Sequence, residues 1–353
     1  MMIGRRNFVI AAAGASAMAV VGLAAPRLVR AQGDAWPDKP LRLVVPWPPG
    51  GSTDIIARTF QPWLQEALGR PVVVENRPGM SGAAGAQEAA RAAPDGATWL
   101  LAFDTEATNQ TVLRPPPYRT LEAFAPVTLV ATGPLALVAH QFAPYATYAD
   151  VVRAARREPG AVRYATSGMG GLAHVAATLL QQASGYRMTH VPYPGGGPAT
   201  QDAVAGRVPL LMSNVVAVRE HIRSGALRPL GVSTREETRH VPGARPFAQQ
   251  GMPGGFEALT WWALLGVAGT PEPLLARMGE AVSRALGEPE VRARIEERGA
   301  DVVASSAEEC AAFLQSEIER WGRVIRDNDI RADFSAAPSD APPSDREGSP
   351  VTR

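Results

Sequence analysis

The sequence predicts an α/β fold in which two open-sheet lobes are joined by two crossing strands. Three observations predict it. Short apolar runs alternate with stretches of helical period, the pattern of parallel strands with crossover helices. The pattern breaks near residue 139, restarts with different spacing, and after 254 returns to complete the first unit. Finally, two proline-glycine loops, Pro46–Asp54 and Tyr193–Ala199, each pass from a strand pattern into a helix pattern, in comparable places of the two units. Lobe 1 is therefore expected over 36–139 and 255–330, and lobe 2 over 140–254.

The elements follow in order. Leu41–Val45 is the first strand, and Asp54–Leu68 a helix with Ile55, Ile56, Phe60, Trp63, Leu64 and Leu68 near the 3.6 period. Pro71–Glu75 is a strand, Gly79–Gly85 a loop, Ala83–Ala93 a helix and Trp99–Phe103 a third strand. Val127–Val130 and Leu135–Ala139 read as separate strands leaving the first unit. In the second unit the pattern predicts helices at Tyr148–Arg157, Leu172–Ser184 and Thr200–Ala205. Strands are expected at Val162–Ala165, Met188–Val191, Pro209–Met212 and Leu227–Val232, the last with Pro229 and so suited to an edge. Trp261–Val267 returns to the first lobe, followed by helices at Pro273–Leu286, Glu290–Arg298 and Ala307–Ile325. Open sheets of this kind bind ligands beyond the carboxyl ends of their strands, and two crossings suit a hinge that closes on a ligand.

The two ends read differently from the body. Arg5 and Arg6 precede an apolar stretch to Ala25, then Pro26 and a small-residue pattern, Val29-Arg30-Ala31, which predicts an export signal over 1–31 cut after Ala31. A retained signal anchor is the alternative. The paired arginines also fit a twin-arginine signal, and the general secretory route accepts the same residues. Residues 331–353, rich in proline and without apolar period, predict a disordered tail.

The leader holds four of the chain's 35 basic residues and none of its 34 acids, so the exported body is mildly acidic, with no basic block. Nothing in it favours nucleic acid or an anionic membrane surface. The sole cysteine, Cys310, shares a helical face with Phe313 and Leu314 and is expected in the core. No long apolar repeat calls for assembly, so a monomer is expected.

No catalytic residue is expected. None of the five histidines has a ligand partner at metal-binding spacing, so no metal and no cofactor are expected. Ser167 lies in Tyr164-Ala165-Thr166-Ser167-Gly168, which lacks the glycine two residues earlier that a nucleophile elbow needs. Its place after a strand suits hydrogen bonding to a ligand or a plain turn. The loop Pro48-Pro49-Gly50-Gly51-Ser52 has no lysine for a nucleotide phosphate, and its prolines offer no N–H, so its donors are Gly50, Gly51 and the residues that follow. Each loop alone marks only a tight turn. Two facing one another would clasp an anion in unpaired N–H groups.

Several long motifs in order carry a family resemblance: Trp36–Asp54, Pro71–Gly79, Ala93-Pro94-Asp95-Gly96, His190-Val191-Pro192-Tyr193 and Gly269-Thr270-Pro271. Over about residues 36–330 the chain resembles the Bug family of extracytoplasmic solute receptors, the substrate-binding proteins of tripartite tricarboxylate transporters. The resemblance implies a periplasmic binding protein-like, Venus-flytrap receptor for small organic carboxylates, delivered to a membrane permease of one large and one small subunit. It places Gly50, Gly51, Ser52, Thr53 and Asp54 on one lip and Gly195, Gly196, Gly197, Pro198 and Ala199 on the other. Thr105, Asn109, Thr166, Ser167 and Gly168 would line the walls. Asp54 could instead cap its helix, and Trp47 and Tyr193 either wall the solute or pack beside their loops.

Departures from the family pattern bear on specificity. Pro194 stands where a lysine is common, and Ser213 where an aspartate is common. Asp104 and Glu106 add two acids beside a pocket loop. Facing inward they would disfavour a multiply charged ligand such as citrate relative to a monocarboxylate or an amino-bearing carboxylate; facing water they would say nothing. Two other readings stay open: an exported carboxylate-processing enzyme, and a receptor presenting its ligand-bound form to a membrane sensor.

Overall fold

The computed structural model describes residue 36, residues 38–252 and residues 256–330. The expected export signal and C-terminal tail lie outside the described residues. In chain order the elements are β1 (Leu41–Val45), α1 (Ser52–Leu68), β2 (Val72–Asn76), α2 (Ala83–Ala90), β3 (Thr98–Phe103), α3 (Thr105–Val112), the short α4 (Thr120–Ala123) and β4 (Phe124–His140). Then come α5 (Tyr148–Arg157), β5 (Arg163–Thr166), α6 (Leu172–Ser184), β6 (Thr189–Pro192), α7 (Gly196–Val204), β7 (Leu210–Asn214), α8 (Val215–Arg223) and β8 (Leu227–Val232). The chain closes with β9 (Leu259–Val267), α9 (Glu272–Gly287), α10 (Pro289–Arg298), β10 (Asp301–Val302) and α11 (Ala307–Asp327).

The strands run in the order β2-β1-β3-β9-β4-β7-β5-β6, with β8 and β10 also paired to β4. Three parallel strands stand at each end of this order, β2-β1-β3 on the side called lobe 1 below and β6-β5-β7 on the side called lobe 2. Strands β1 and β3 are buried on both faces, while the edge strand β2 leaves Val73 exposed. Leu41, Leu43 and Val45 enter one core while Val44 enters another, the alternation expected of a strand covered by helices on either side. Trp99, Leu101 and Phe103 repeat that pattern against Leu100 and Ala102.

The two segments read as separate strands are one strand of 17 residues. Phe124–Pro134 pairs antiparallel with β9 in lobe 1, and Leu135–His140 pairs with β7 and β8 in lobe 2. Gly133 and Pro134 look like breakers in the sequence, yet they sit where β4 exchanges partners, so little of the ladder is lost there. Irregularities in register near Pro126 absorb the other proline. Pro229 lies in β8, which ladders only with β4 and bridges Pro246 only at Val232, so Pro229 keeps the edge position it requires.

The second crossing joins β8 to β9, and buried Ser233 fastens it to the first. Its hydroxyl accepts the Leu135 N–H at 2.9 Å and donates to the Ala258 carbonyl. Its own N–H donates to Leu135 O at 3.0 Å, and Ala258 N–H donates to Ser233 O at 3.1 Å. Helix α11 lies along β4 and α3 and buries Cys310, Leu314, Trp321 and Ile325. Its end reaches lobe 2, where the Gln182 side chain donates to Asn328 O at 3.3 Å.

Candidate functional site

Helices α1 and α7 begin at glycines that have no side chain to cap them. Gly51 (φ −76°, ψ 166°) precedes α1 and Gly195 (φ 169°, ψ 171°) precedes α7, both extended, so the first-turn N–H groups lack a side-chain cap. The two loops touch. A Cβ on Gly197 would lie 3.2 Å from Pro49 O and 3.7 Å from Gly51 N, and one on Gly195 only 2.6 Å from Pro48 Cδ. These glycines are required by close approach. Gly50, at φ 78° with open space around it, is required by its backbone angle instead.

Asp54 supports the first lip from behind. It accepts the Gly50 N–H at 3.0 Å, Arg58 Nε at 2.9 Å and Asn76 Nδ2 at 3.0 Å. Burial pushes its carboxyl up, but the bonds from Arg58, Gly50 and Asn76 outweigh this and hold it below the usual carboxylate range. Asn76 also donates to Trp47 O at 2.9 Å, so the loop is tied at both ends. Ser52 and Thr53 face other elements: Ser52 Oγ accepts Asn214 Nδ2 from lobe 2 at 3.0 Å, and Thr53 Oγ1 accepts Trp262 Nε1 at 3.3 Å.

A second seam runs beside the lips. Met80 and Ser81 have φ of 48° and 50° between Gly79 at 137° and Gly82 at 89°, four successive residues with positive φ. Such a run costs free energy at the non-glycine positions, and it carries Ser81 against the Gly168-Met169 loop. Ser81 Oγ donates to Met169 O at 2.8 Å, and Gly168 meets the same hydroxyl so closely that a Cβ would lie 2.8 Å from it. On α3, Thr105, Asn109 and Val112 share one face. Thr105 lies against Gly171 and Val112 against Gly170, so this face of lobe 1 looks onto the loop of lobe 2. Asn109 Nδ2 donates to Ser81 O at 3.2 Å.

Four buried side-chain atoms of residues at or beside these seams have no protein partner: Trp47 Nε1, Asn109 Oδ1, Ser213 Oγ and Thr200 Oγ1. Buried polar groups are ordinarily paired, so a concentration of orphans beside a seam marks where an occupant or water completes them. None of the side chains that meet across the seams is cationic. The sequence has a single lysine, Lys39, and it pairs with Asp95 elsewhere.

The remaining wall residues are turned onto their own lobes. Thr166 Oγ1 donates its one proton to Gly168 O at 2.7 Å, so His190 Nε2, also at 2.7 Å, must be the donor to it. His174 Nδ1 accepts the Gly170 N–H at 3.1 Å, and the two imidazoles stack at 4.1 Å. Burial holds both neutral, His174 down to about 4 and His190 down to about 2. They clamp the two ends of the loop that holds half-buried Ser167. Tyr193 donates its hydroxyl to Asp202 at 2.8 Å, and Pro198 and Ala199 lie in the first turn of α7, Ala199 with no exposed surface.

The segment after β3, which reads as a loop, is helix α3, and its two acids face neither water nor open space. Glu106 accepts from Tyr118 at 2.8 Å and Thr120 at 2.9 Å. Asp104 accepts from Thr260 and from the backbone N–H of Leu172, the first residue of α6 in lobe 2. Burial pushes both up to about 7. Ser81, Met169 and Asn214 are the site residues that sequence reasoning missed. Glycines on both sides of Met80-Ser81 were the one available signal.

Surface hollows of about 600 and 930 Å³ lie elsewhere, one against Tyr164, His174 and His190, the other between α9 and the start of α11. Among the described residues there is no cluster able to hold a metal and no helix long and apolar enough to cross a membrane.

Comparison with known proteins gives a consistent result. The sequence model described as "Tripartite tricarboxylate transporter family receptor" matches residues 56–330. Protein BugT of Bordetella pertussis is 34% identical over 312 residues, covering 88% of this chain and 94% of that protein. MatC of Rhodopseudomonas palustris, solved with bound malate, is similar at a TM-score of 0.78 and 31% identity, over 82% of this chain and 100% of that one. The R. palustris protein Rpa4515, solved with adipate, gives 0.80 and 30%, over 84% and 99%.

Proposed function

The chain belongs to the tripartite tricarboxylate transporter receptor family, whose members are periplasmic solute receptors, and from that premise we propose that it captures a small organic carboxylate between its two glycine lips. One observation carries the reading: two helix N-termini, one from each lobe and both without a capping side chain, meet in van der Waals contact. A carboxylate offers several lone pairs, and N–H donors in a closed cleft satisfy them without a cation. The malate and adipate of the two solved relatives support the ligand class. In this reading the N–H groups of Ser52, Gly195, Gly196 and Gly197 bind the head group; Gly50 and Gly51, whose N–H groups go to Asp54 and to Pro48 O, shape the first lip, and Asp54, Thr166 and Tyr193 hold the lips in place.

The bound solute is handed to a membrane permease of one large and one small subunit, after export by the leader. Catalysis is not part of the reading, because the hydroxyl beside an imidazole at the wall, Thr166 with His190, has its proton committed to Gly168 O. Calorimetric titration of the exported body with mono- and dicarboxylates tests it, with the solute followed by NMR over hours. Binding without conversion is expected; a carboxylate that is turned over would favour the enzyme, and no binding by any carboxylate would end the proposal.

A further inference from the structure

Asn109 lies on the face of α3 that meets the Gly170-Gly171 loop, with its acceptor unused. Its side chain is 1% exposed, its Nδ2 donates to Ser81 O at 3.2 Å, and its Oδ1 meets no protein donor. The orientation of the amide is fixed, because turning it over would set Oδ1 against the Ser81 carbonyl and waste the one bond it makes. Nearby, Trp47 presents an unused donor, Nε1, which can only be met by an acceptor. The ring edge of Trp47 and Thr105 Oγ1 both lie 3.3 Å from where Gly82 would carry a Cβ, so these groups flank the turn whose Ser81 carbonyl Asn109 grips.

We infer that the solute carries a hydrogen-bond donor, a hydroxyl or an ammonium group, in addition to its carboxylate, and that Asn109 Oδ1 reads it. This rests on the carboxylate-capture reading and narrows it. A carboxylate satisfies the N–H groups of the lips and has no proton to offer Asn109. A plain alkyl acid would bury Oδ1 beside methylene groups, at the full cost of an unpaired acceptor, whereas a hydroxy or amino acid completes it. Asp104 and Glu106 play no part in this recognition, since their carboxyls are taken by Thr260 and Leu172 and by Tyr118 and Thr120.

Matched sets test it: succinate, malate and aspartate; glutarate, 2-hydroxyglutarate and glutamate; propionate, lactate and alanine. Each is titrated calorimetrically into the exported body and into its Asn109→Leu variant. In at least one set the wild-type chain is expected to bind the hydroxy or amino member about ten- to a hundred-fold more tightly than the unsubstituted one. The variant should reduce that ratio to within about three-fold. Preference for the hydroxy or for the amino member tells which donor is read. Equal affinity across every set in the wild type would overturn the inference while leaving carboxylate capture intact, since water would then satisfy Oδ1. A ratio that survives in Asn109→Leu would overturn the assignment to Asn109. Failure of all the acids to bind would overturn both readings. The wild-type ratio is decisive even if the variant does not fold.

Discussion

Glu106 shows how far a residue's surroundings can reverse its usual chemistry. Its carboxyl sits under Tyr118 and Thr120, and burial raises it from an ordinary 4.5 to about 7. Between those values the folded chain keeps a proton that the unfolded chain has released, so stability is fully present below about pH 4.5, falls as pH rises to about 7, and is level above that. His174 acts in the opposite sense: held down to about 4, it contributes stability above its ordinary 6.5 that is lost as pH falls. The two partly cancel in the whole protein, so a variant must separate them. In Glu106→Gln the stability relative to wild type is expected to rise by up to about 3 kcal/mol between pH 4.5 and 7 and then stay constant. Denaturant midpoints measured across that range check it; a difference that does not change with pH would mean that Glu106 keeps an ordinary carboxyl. A sequence cannot show this. Thr105–Val112 reads as polar loop, and only the packing of α11 against it makes it a buried helix.

At the level of elements, the glycines of the lips divide by cause. Gly195 is extended, a conformation valine adopts readily, but any Cβ there would meet Pro48 at 2.6 Å. Gly195→Val should therefore leave unliganded stability nearly unchanged and weaken carboxylate binding about ten-fold or more by holding the lips apart. Gly185 supplies the contrast. It ends α6 at φ 62° with open space around it, so Gly185→Ala should cost about 1 kcal/mol of stability and leave affinity alone. Calorimetry and thermal melts on both variants check the pair; weak binding in both would make the lips incidental. These lips were legible because Gly50-Gly51 and Gly195-Gly196-Gly197 impose an unusual local demand wherever they occur. The second seam was not: Ser81 reaches Met169 across 88 residues and Asn214 reaches Ser52 across 162, and no local pattern encodes either contact.

For the whole molecule, the alternation of strand and helix and the return at Trp261 were readable, because burial on both sheet faces leaves continuous apolar runs. The length of β4 was not, since Gly133 and Pro134 mark a break everywhere except at a change of partners. That shared strand has a dynamic consequence. With β4 laddered into both half-sheets and Ser233 fastened to it, amide protons near Leu135 and Ser233 should trade for deuterium only through global unfolding, at the same slow rate with or without solute. Amides of Ser52, Gly196 and Gly197 should trade quickly in the empty chain and slow sharply once it is loaded. Mass-spectrometric uptake curves would register a clasp that shuts around an unyielding spine; slowing confined to the spine would locate the motion there instead.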